Sequence, residues 1–179
     1  MPKNKNAPKR DYADLHDHLK ELDRRGLLVT VDREINKDTE LHPLVRWQFR
    51  GGLEEKDRKA FLFTNVVDSK GRKFDIPVAV GVLAASRDIY RTGIGCELDE
   101  IEATWSHATA NPIDPVEVNC APCQEIVWQG GDLDIEGQGL DGIPVPISTP
   151  GWDNAPYTTF SQYITKDPDS GVQNMGKSL

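Results

Sequence analysis

The most informative stretch is Tyr157-Thr-Thr-Phe-Ser-Gln-Tyr-Ile-Thr165, with Asp167-Pro-Asp-Ser-Gly171 and Val172-Gln-Asn-Met175 after it. The first run is rich in Thr, Tyr, Phe and Ile, which suit a pleated surface. The second is turn chemistry, because Pro presets φ, Asp side chains bond nearby amides and Gly accepts positive φ. Together they predict a β-hairpin. Since the returning strand is short before Gly176, we expect further polypeptide to cover it and interpret the sequence as truncated within a domain.

The same stretch resembles a known family. Asp167-Pro-Asp-Ser-Gly-Val-Gln-Asn-Met-Gly176 is similar to the Asp-Pro-x-x-Gly…Asn-Met-Gly signature of the UbiD family of decarboxylases, which use prenylated flavin mononucleotide. Upstream stretches resemble family segments in the same order; they are residues 14–29, 60–66, 124–132 and 143–146. The resemblance therefore extends over about residues 11–176.

The resemblance implies roles for several residues near the hairpin. Asn174 matches the family's Asn ligand of a divalent ion, usually manganese, that holds the flavin phosphate, and an amide oxygen suits such an ion. Potassium is a second candidate ion. Lys177 and Ser178 match positions that contact the flavin, and Thr159 matches a Thr near the flavin in some members. Leu179 stands where the family has an Arg associated with catalysis, and Leu cannot pair with a carboxylate, so no catalytic residue is assigned.

The predicted fold class is α+β, with three segments. Residues 1–10 form a basic arm expected to be disordered, and residues 11–115 form an N-terminal α/β domain. Residues 116–179 resemble the start of a split β-barrel flavin-binding domain, truncated. The boundary is placed at Asn111-Pro-Ile-Asp-Pro115, because two prolines in five residues exclude a regular helix or central strand.

Periodicity and capping residues predict the elements of this chain. A first helix follows the capping residue Asp11 and stops at Gly26, a second is capped by Asp38 or Thr39, and a third covers 97–110; Ser86 caps a further helical turn before the third. Strands are predicted at 27–31, 60–67, 77–83, 124–128 and 157–165. The run 77–83 is almost wholly apolar and is predicted to be buried on both faces.

Charge and hydrophobicity exclude several classes of protein. The net charge of −8 argues against a nucleic-acid or anionic-membrane surface, because phosphate binding needs clustered cations. The sequence has no apolar run of about 20 residues and no apolar signal-peptide centre. We therefore predict a cytoplasmic protein without a membrane span.

Cysteines and histidines offer weaker candidate sites. Cys120-Ala-Pro-Cys123 has the spacing of a redox pair or half a zinc site, but residues 124–128 are strand-like and no second ligand pair exists at a matching spacing. Two small buried residues entering a strand are the favoured interpretation. His16 and His18 point to different sides of a helix and are predicted to be solvated, while His42 and His107 are isolated.

The resemblance implies a carboxy-lyase that decarboxylates, or reversibly carboxylates, an unsaturated or aromatic acid with prenylated FMN. The resemblance implies a small carboxylic acid substrate, a flavin prenyltransferase as cofactor supplier and a homo-oligomer at full length. The 179-residue chain alone is expected to be inactive. The alternative is a non-catalytic short UbiD-like subunit that docks on a longer partner and completes its sheet.

Overall fold

The computed structural model describes residues 14–113, 116, 118–158 and 162–177. The basic arm, the predicted cap Asp11 and part of the predicted boundary lie outside these residues. We call residues 14–113 the N-terminal region and residues 116–177 the C-terminal region. The elements are α1 (Leu15–Arg24), β1 (Leu28–Val31), β2 (Ile35–Asn36), α2 (Leu41–Arg50), β3 (Ala60–Phe63), β4 (Val66–Val67), β5 (Lys73–Phe74), β6 (Val78–Val80), α3 (Arg87–Ile94), α4 (Ile101–Ala110), β7 (Gln162–Lys166) and β8 (Gln173–Lys177), with short 3-10 turns between them.

The first two helices form, but their predicted caps are wrong: Asp14 and not Asp11 caps α1, and Glu40, which makes no side-chain cap hydrogen bond, precedes α2 in place of Asp38 or Thr39. One residue of α1 also behaves differently from its prediction. Asp14 caps α1 by accepting a hydrogen bond from the Asp17 amide at 2.9 Å, and Gly26 follows the helix with a φ of 68°. The prediction that His18 is solvated is wrong. Its ring is 2% exposed, and Nε2 lies 2.7 Å from the carbonyl oxygen of Val82. The histidine is buried because this face of α1 packs on the segment after β6.

Two small mixed sheets lie in the N-terminal region. In the first, β3 is central: it runs parallel to β1, with Leu28 opposite Ala60, and antiparallel to β6, with Phe61 opposite Val80. In the second, β4 lies between β2 and β5. The prediction that 77–83 is buried on both faces is wrong, because β6 is an edge strand of the described sheet and its residues are half-buried.

The buried apolar residues form two clusters. One contains α2 residues and the inner faces of β2 to β5, and the other packs α1 and α3 against the start of β3. The larger cluster consists of Ile35, Leu41, Val45, Phe63, Val66 and Phe74. Both clusters consist only of residues of the N-terminal region.

The predicted third helix forms but buries little. It begins with a 3-10 turn at Leu98–Glu100 and continues as α4, which has no buried residue. Trp105 is 54% exposed and donates from Nε1 to the hydroxyl of Tyr90 at 3.0 Å. Helical spacing of Leu98, Ile101 and Trp105 therefore predicts the conformation correctly, while the apolar face lies open in the described chain.

The C-terminal region contains the predicted hairpin. β7 and β8 pair antiparallel, with Ile164 opposite Met175, and Gly171 in the turn has a φ of 72°. The strand predicted at 124–128 is wrong: a 3-10 turn occupies Pro122–Gln124, and the described residues of this region contain no strand before β7. The described strands of this region form a two-stranded sheet, and the split barrel stays a prediction.

Partial burial of His42 in α2 predicts acid sensitivity. Desolvation, and secondarily the nearby Arg46 cation, lower the pKa of His42 below its usual value. Because the unfolded chain then binds more protons, the free energy of unfolding should fall as pH drops below about 6.5 and continue to fall until the folded-state pKa is passed. Urea midpoints at pH 7 and pH 5 measure this. His42→Gln should reduce the difference, and an unreduced difference would contradict the assignment; His16→Gln, at an exposed ring, is the matched control.

Candidate functional site

The hairpin contains the residues predicted to meet metal and flavin. Asn174 lies in β8 directly opposite Thr165 of β7, and its side chain is exposed. The backbone of Lys177 ends the same strand opposite Gln162. Thr159, Ser178 and Leu179 lie outside the described residues. The structure thus places Asn174 and Lys177 on one strand, and the other predicted site residues stay predictions.

The turn next to Asn174 is held by its own side chains. One carboxylate oxygen of Asp167 accepts hydrogen bonds from the amides of Asp169 at 2.9 Å and Ser170 at 2.6 Å, and from the Ser170 hydroxyl at 2.9 Å. The Ser170 amide and hydroxyl, then the Asp169 amide, hold the pKa of Asp167 below its usual value. This confirms the predicted turn chemistry, and it commits that oxygen of Asp167 to the turn.

The metal-binding capacity of the described residues is small. Among them, no group of three or more His, Cys, Asp and Glu side chains is close enough to hold an ion. Asn174 provides a single neutral oxygen, whereas divalent ions of this class take several oxygen ligands, usually including carboxylates. The described residues therefore do not fit a complete manganese or flavin-phosphate site.

The cysteine pair does not behave as predicted. Cys120 and Cys123 are exposed at the 3-10 turn that replaces the expected strand, so the prediction that they are buried is wrong. Cys96 is half-buried after α3.

A cavity that is separate from the hairpin lies in the N-terminal region. It is an open depression of about 480 Å³ between α1 and α3, lined by Arg24, Arg25, Leu27, Asp88 and Arg91. Its arginines already contact carboxylates: Arg24 and Arg25 bind Glu21, and Arg91 binds Asp88. None of the predicted site residues lines this depression, and its own charges are largely compensated.

No sequence pattern predicted the polar contact between the two regions at Lys37. Lys37 donates from Nζ to Asp38 at 2.6 Å and to the Val145 carbonyl at 3.0 Å. Burial alone would raise the pKa of Asp38, but hydrogen bonds from Lys37 and Ser69 outweigh it and hold the pKa below its usual value. No local pattern signals this contact, because Lys37 and Val145 are 108 positions apart.

Comparison with known structures shows which proteins share this fold. The chain has an α+β fold like that of the UbiD-class enzyme HmfF from Pelotomaculum thermopropionicum in complex with FMN, with a TM-score of 0.72 and 25% identity. An evolved dimeric form of HmfF in complex with prFMN gives a TM-score of 0.73 at 25% identity. Each match covers 91% of this chain, and 33% and 34% respectively of the other. The open form of vanillic acid decarboxylase from Sedimentibacter hydroxybenzoicus shares the fold, with a TM-score of 0.69 at 20% identity, covering 93% of this chain and 33% of that one.

A family model then identifies the C-terminal part more closely. Residues 115–178 match the UbiD family model, described as a 3-octaprenyl-4-hydroxybenzoate carboxy-lyase Rift-related domain. The resemblance to the UbiD family is thereby confirmed, by the family model over these residues and by the fold over most of the chain. The chain spans about a third of the length of the solved relatives. No described helix has the length and apolar character required to cross a membrane.

Proposed function

We propose that this chain is part of a UbiD-like carboxy-lyase that acts on an unsaturated or aromatic carboxylic acid with prenylated FMN. The supporting observation is the family-model match over 115–178, which includes the β7–β8 hairpin and Asn174. The two HmfF structures contain FMN and prFMN, which makes a flavin the cofactor to test first. Manganese, with potassium as the second candidate, is proposed to meet Asn174; Thr159, Lys177 and Ser178 are proposed to contact the flavin.

The 179-residue chain by itself is proposed to be inactive. Among the described residues Asn174 is the one proposed metal ligand and no group of three or more His, Cys, Asp and Glu side chains accompanies it, while the hairpin around it is exposed along β7 and at residues 173–175 of β8. Catalysis by preorganised charges requires a site from which water is excluded. Purified alone, the chain should therefore bind neither FMN nor manganese stoichiometrically, and stoichiometric flavin on the isolated chain would overturn this part of the proposal.

A second candidate function is a non-catalytic subunit that docks on a longer UbiD-like partner. The observation that favours it is the exposed apolar cross-strand pair of the hairpin, Ile164 at 64% and Met175 at 65%. Affinity purification from the native source distinguishes the two candidates. A stoichiometric UbiD-like partner supports the subunit, whereas flavin-dependent release of carbon dioxide by one continuous polypeptide supports the enzyme.

Asn174→Ala tests the proposed metal ligand. The variant is made in a fusion of this chain, carrying Ser178→Tyr and Leu179→Arg, to the remaining two thirds of HmfF, supplied with prenylated FMN and manganese. Losing one oxygen ligand should weaken manganese binding by about tenfold to 100-fold, of the order seen when groups that support metal sites are removed. Manganese content and carbon dioxide release from cinnamate-like and hydroxybenzoate-like acids are measured.

Gln173→Ala is the matched control for this test, because it removes an exposed amide from the neighbouring position of the same strand. Successive strand residues face opposite sides of a sheet, so this variant should retain manganese. Equal metal content in the Asn174→Ala fusion and the unmodified fusion would show that Asn174 is not a ligand.

A further inference from the structure

A short segment of the C-terminal region is held against the N-terminal region. Residues 144–150 are half-buried or buried, whereas 151–158 and the first strand of the hairpin are exposed. Neither apolar cluster contains a residue of the C-terminal region, so the polar contacts of this segment are the described interactions that fix its position.

Three cationic side chains of the N-terminal region contact this segment or the residues just before it. Lys37 donates to the Val145 carbonyl at 3.0 Å, and Arg46 of α2 donates to the Thr149 hydroxyl at 3.0 Å. Arg72, just before β5, donates to the Asp141 carbonyl at 2.8 Å and to the Glu136 carboxylate at 3.1 Å. We call these three cations the polar clamp and residues 141–149 the clamped segment. Hydrogen bonds from charged donors contribute more than neutral ones do.

The Lys37 donor is itself held rigidly. Its side chain is almost fully buried, its ammonium group lies 5.9 Å from the centre of the Phe74 ring, and its own amide donates to the Val67 carbonyl at 2.8 Å. Asp38 balances the charge and accepts from the Ser69 amide at 3.0 Å. Little conformational entropy remains to be lost when Lys37 binds the clamped segment.

The clamped segment is also prearranged for these contacts. Pro144 and Pro146 have restricted φ, and the amide of Thr149 donates to the Asp153 carboxylate at 2.8 Å. Two of the acceptors are main-chain carbonyls, so binding to the clamp depends on the backbone path more than on the side chains.

We propose that the polar clamp of Lys37, Arg46 and Arg72 is the interaction surface that positions residues 141–149, so that attachment of the C-terminal region is separable from folding of the N-terminal core. The partner of this surface is a proline-containing segment of the same chain. The clamp thereby determines where the polypeptide leaves the N-terminal region towards the β7–β8 hairpin. This inference rests on contacts within the chain and does not depend on the proposed function.

The test is hydrogen exchange on the full chain with Arg46→Gln and Arg72→Gln, singly and together. Lys37 is left unchanged, because its removal would also leave the poorly solvated Asp38 carboxylate without its cation. The amides of Val145 and Thr149 should exchange about tenfold faster in the double variant, equivalent to about 1.4 kcal/mol. The amide of Ala60 donates to the carbonyl of Leu27 in the core, and its exchange rate should change less than about twofold.

Arg33→Gln is the control, because Arg33 contacts Glu34 and Glu40 within the N-terminal region. Arg46→Lys, which retains a donor, should recover part of the protection. Uniform acceleration at Val145, Thr149 and Ala60, or no acceleration in the double variant, would overturn the proposal. Thr149→Val should accelerate exchange as Arg46→Gln does, and the two substitutions combined should accelerate it no more than either one alone. Additive effects of the two substitutions would also contradict the proposed clamp.

Discussion

Replacing Phe63 with alanine is expected to lower the free energy of unfolding by about 3–5 kcal/mol. Phe63 is fully buried at the end of the central strand β3, and its ring stacks on Phe61 at 5.9 Å between centres. Removing the ring leaves a cavity in the larger apolar cluster, between α2 and the second sheet, and a well-packed core relaxes only partly. Urea denaturation followed by circular dichroism measures the loss.

Phe49→Ala is the matched control for this substitution. Phe49 is 44% exposed, and its ring contacts the Arg58 guanidinium at 5.0 Å. The loss should be about 1 kcal/mol, because less apolar area returns to water and a partly exposed cation–π contact is weak. Equal losses at Phe63 and Phe49 would contradict the position of the core.

Replacing Lys37 with methionine is expected to have the second largest effect, about 3 kcal/mol of the free energy of unfolding. The side chains of Lys37 and Asp38 are 8% and 14% exposed, so the substitution leaves a carboxylate in a poorly solvated place without its cation. It also removes the donor to Val145. The pKa of Asp38 should rise in the variant, because the hydrogen bond that lowers it is gone.

The double variant Lys37→Met with Asp38→Asn separates these contributions. A neutral amide in place of the carboxylate should recover about 1–2 kcal/mol of the lost free energy of unfolding, because the unpaired buried charge is removed. Lys20→Met breaks an exposed pair, with side chains 77% and 43% exposed, and should change the free energy by less than about 1 kcal/mol. A Lys37→Met loss as small as that of Lys20→Met would contradict the buried pair.

Local chemistry predicted the parts of this molecule whose structure is determined by neighbouring residues. The hairpin is an example: Asp167 and Gly171 supply the turn wherever the strands lie, so β7 and β8 pair as expected. Helix α3 is another, because Ser86 provides the cap and accepts from the Ile89 amide at 3.3 Å. Caps and turns act over a few residues and can therefore be read from the sequence.

Burial was predicted less well, because burial depends on what lies across the fold. The β-branched run at 124–128 predicted a strand, but no described strand pairs with it and the chain forms a 3-10 turn before it. Cys120 and Cys123 are exposed for the same reason. Strand propensity describes a fit to a neighbouring pleated surface, so it has no effect where that neighbour is missing.

Sequence patterns alone were enough to predict the helices, the Ser86 cap of α3, the hairpin with its turn and the resemblance to the UbiD family. The packing of distant elements was needed to show that His18 is buried against Val82 and that Lys37, Arg46 and Arg72 bind a segment about 70 to 110 positions away. These two groups of features differ in the sequence distance between the residues that determine them. Caps, turns and periodicity depend on residues a few positions apart, whereas a buried ring or a charged donor finds its acceptor only after distant elements have packed together.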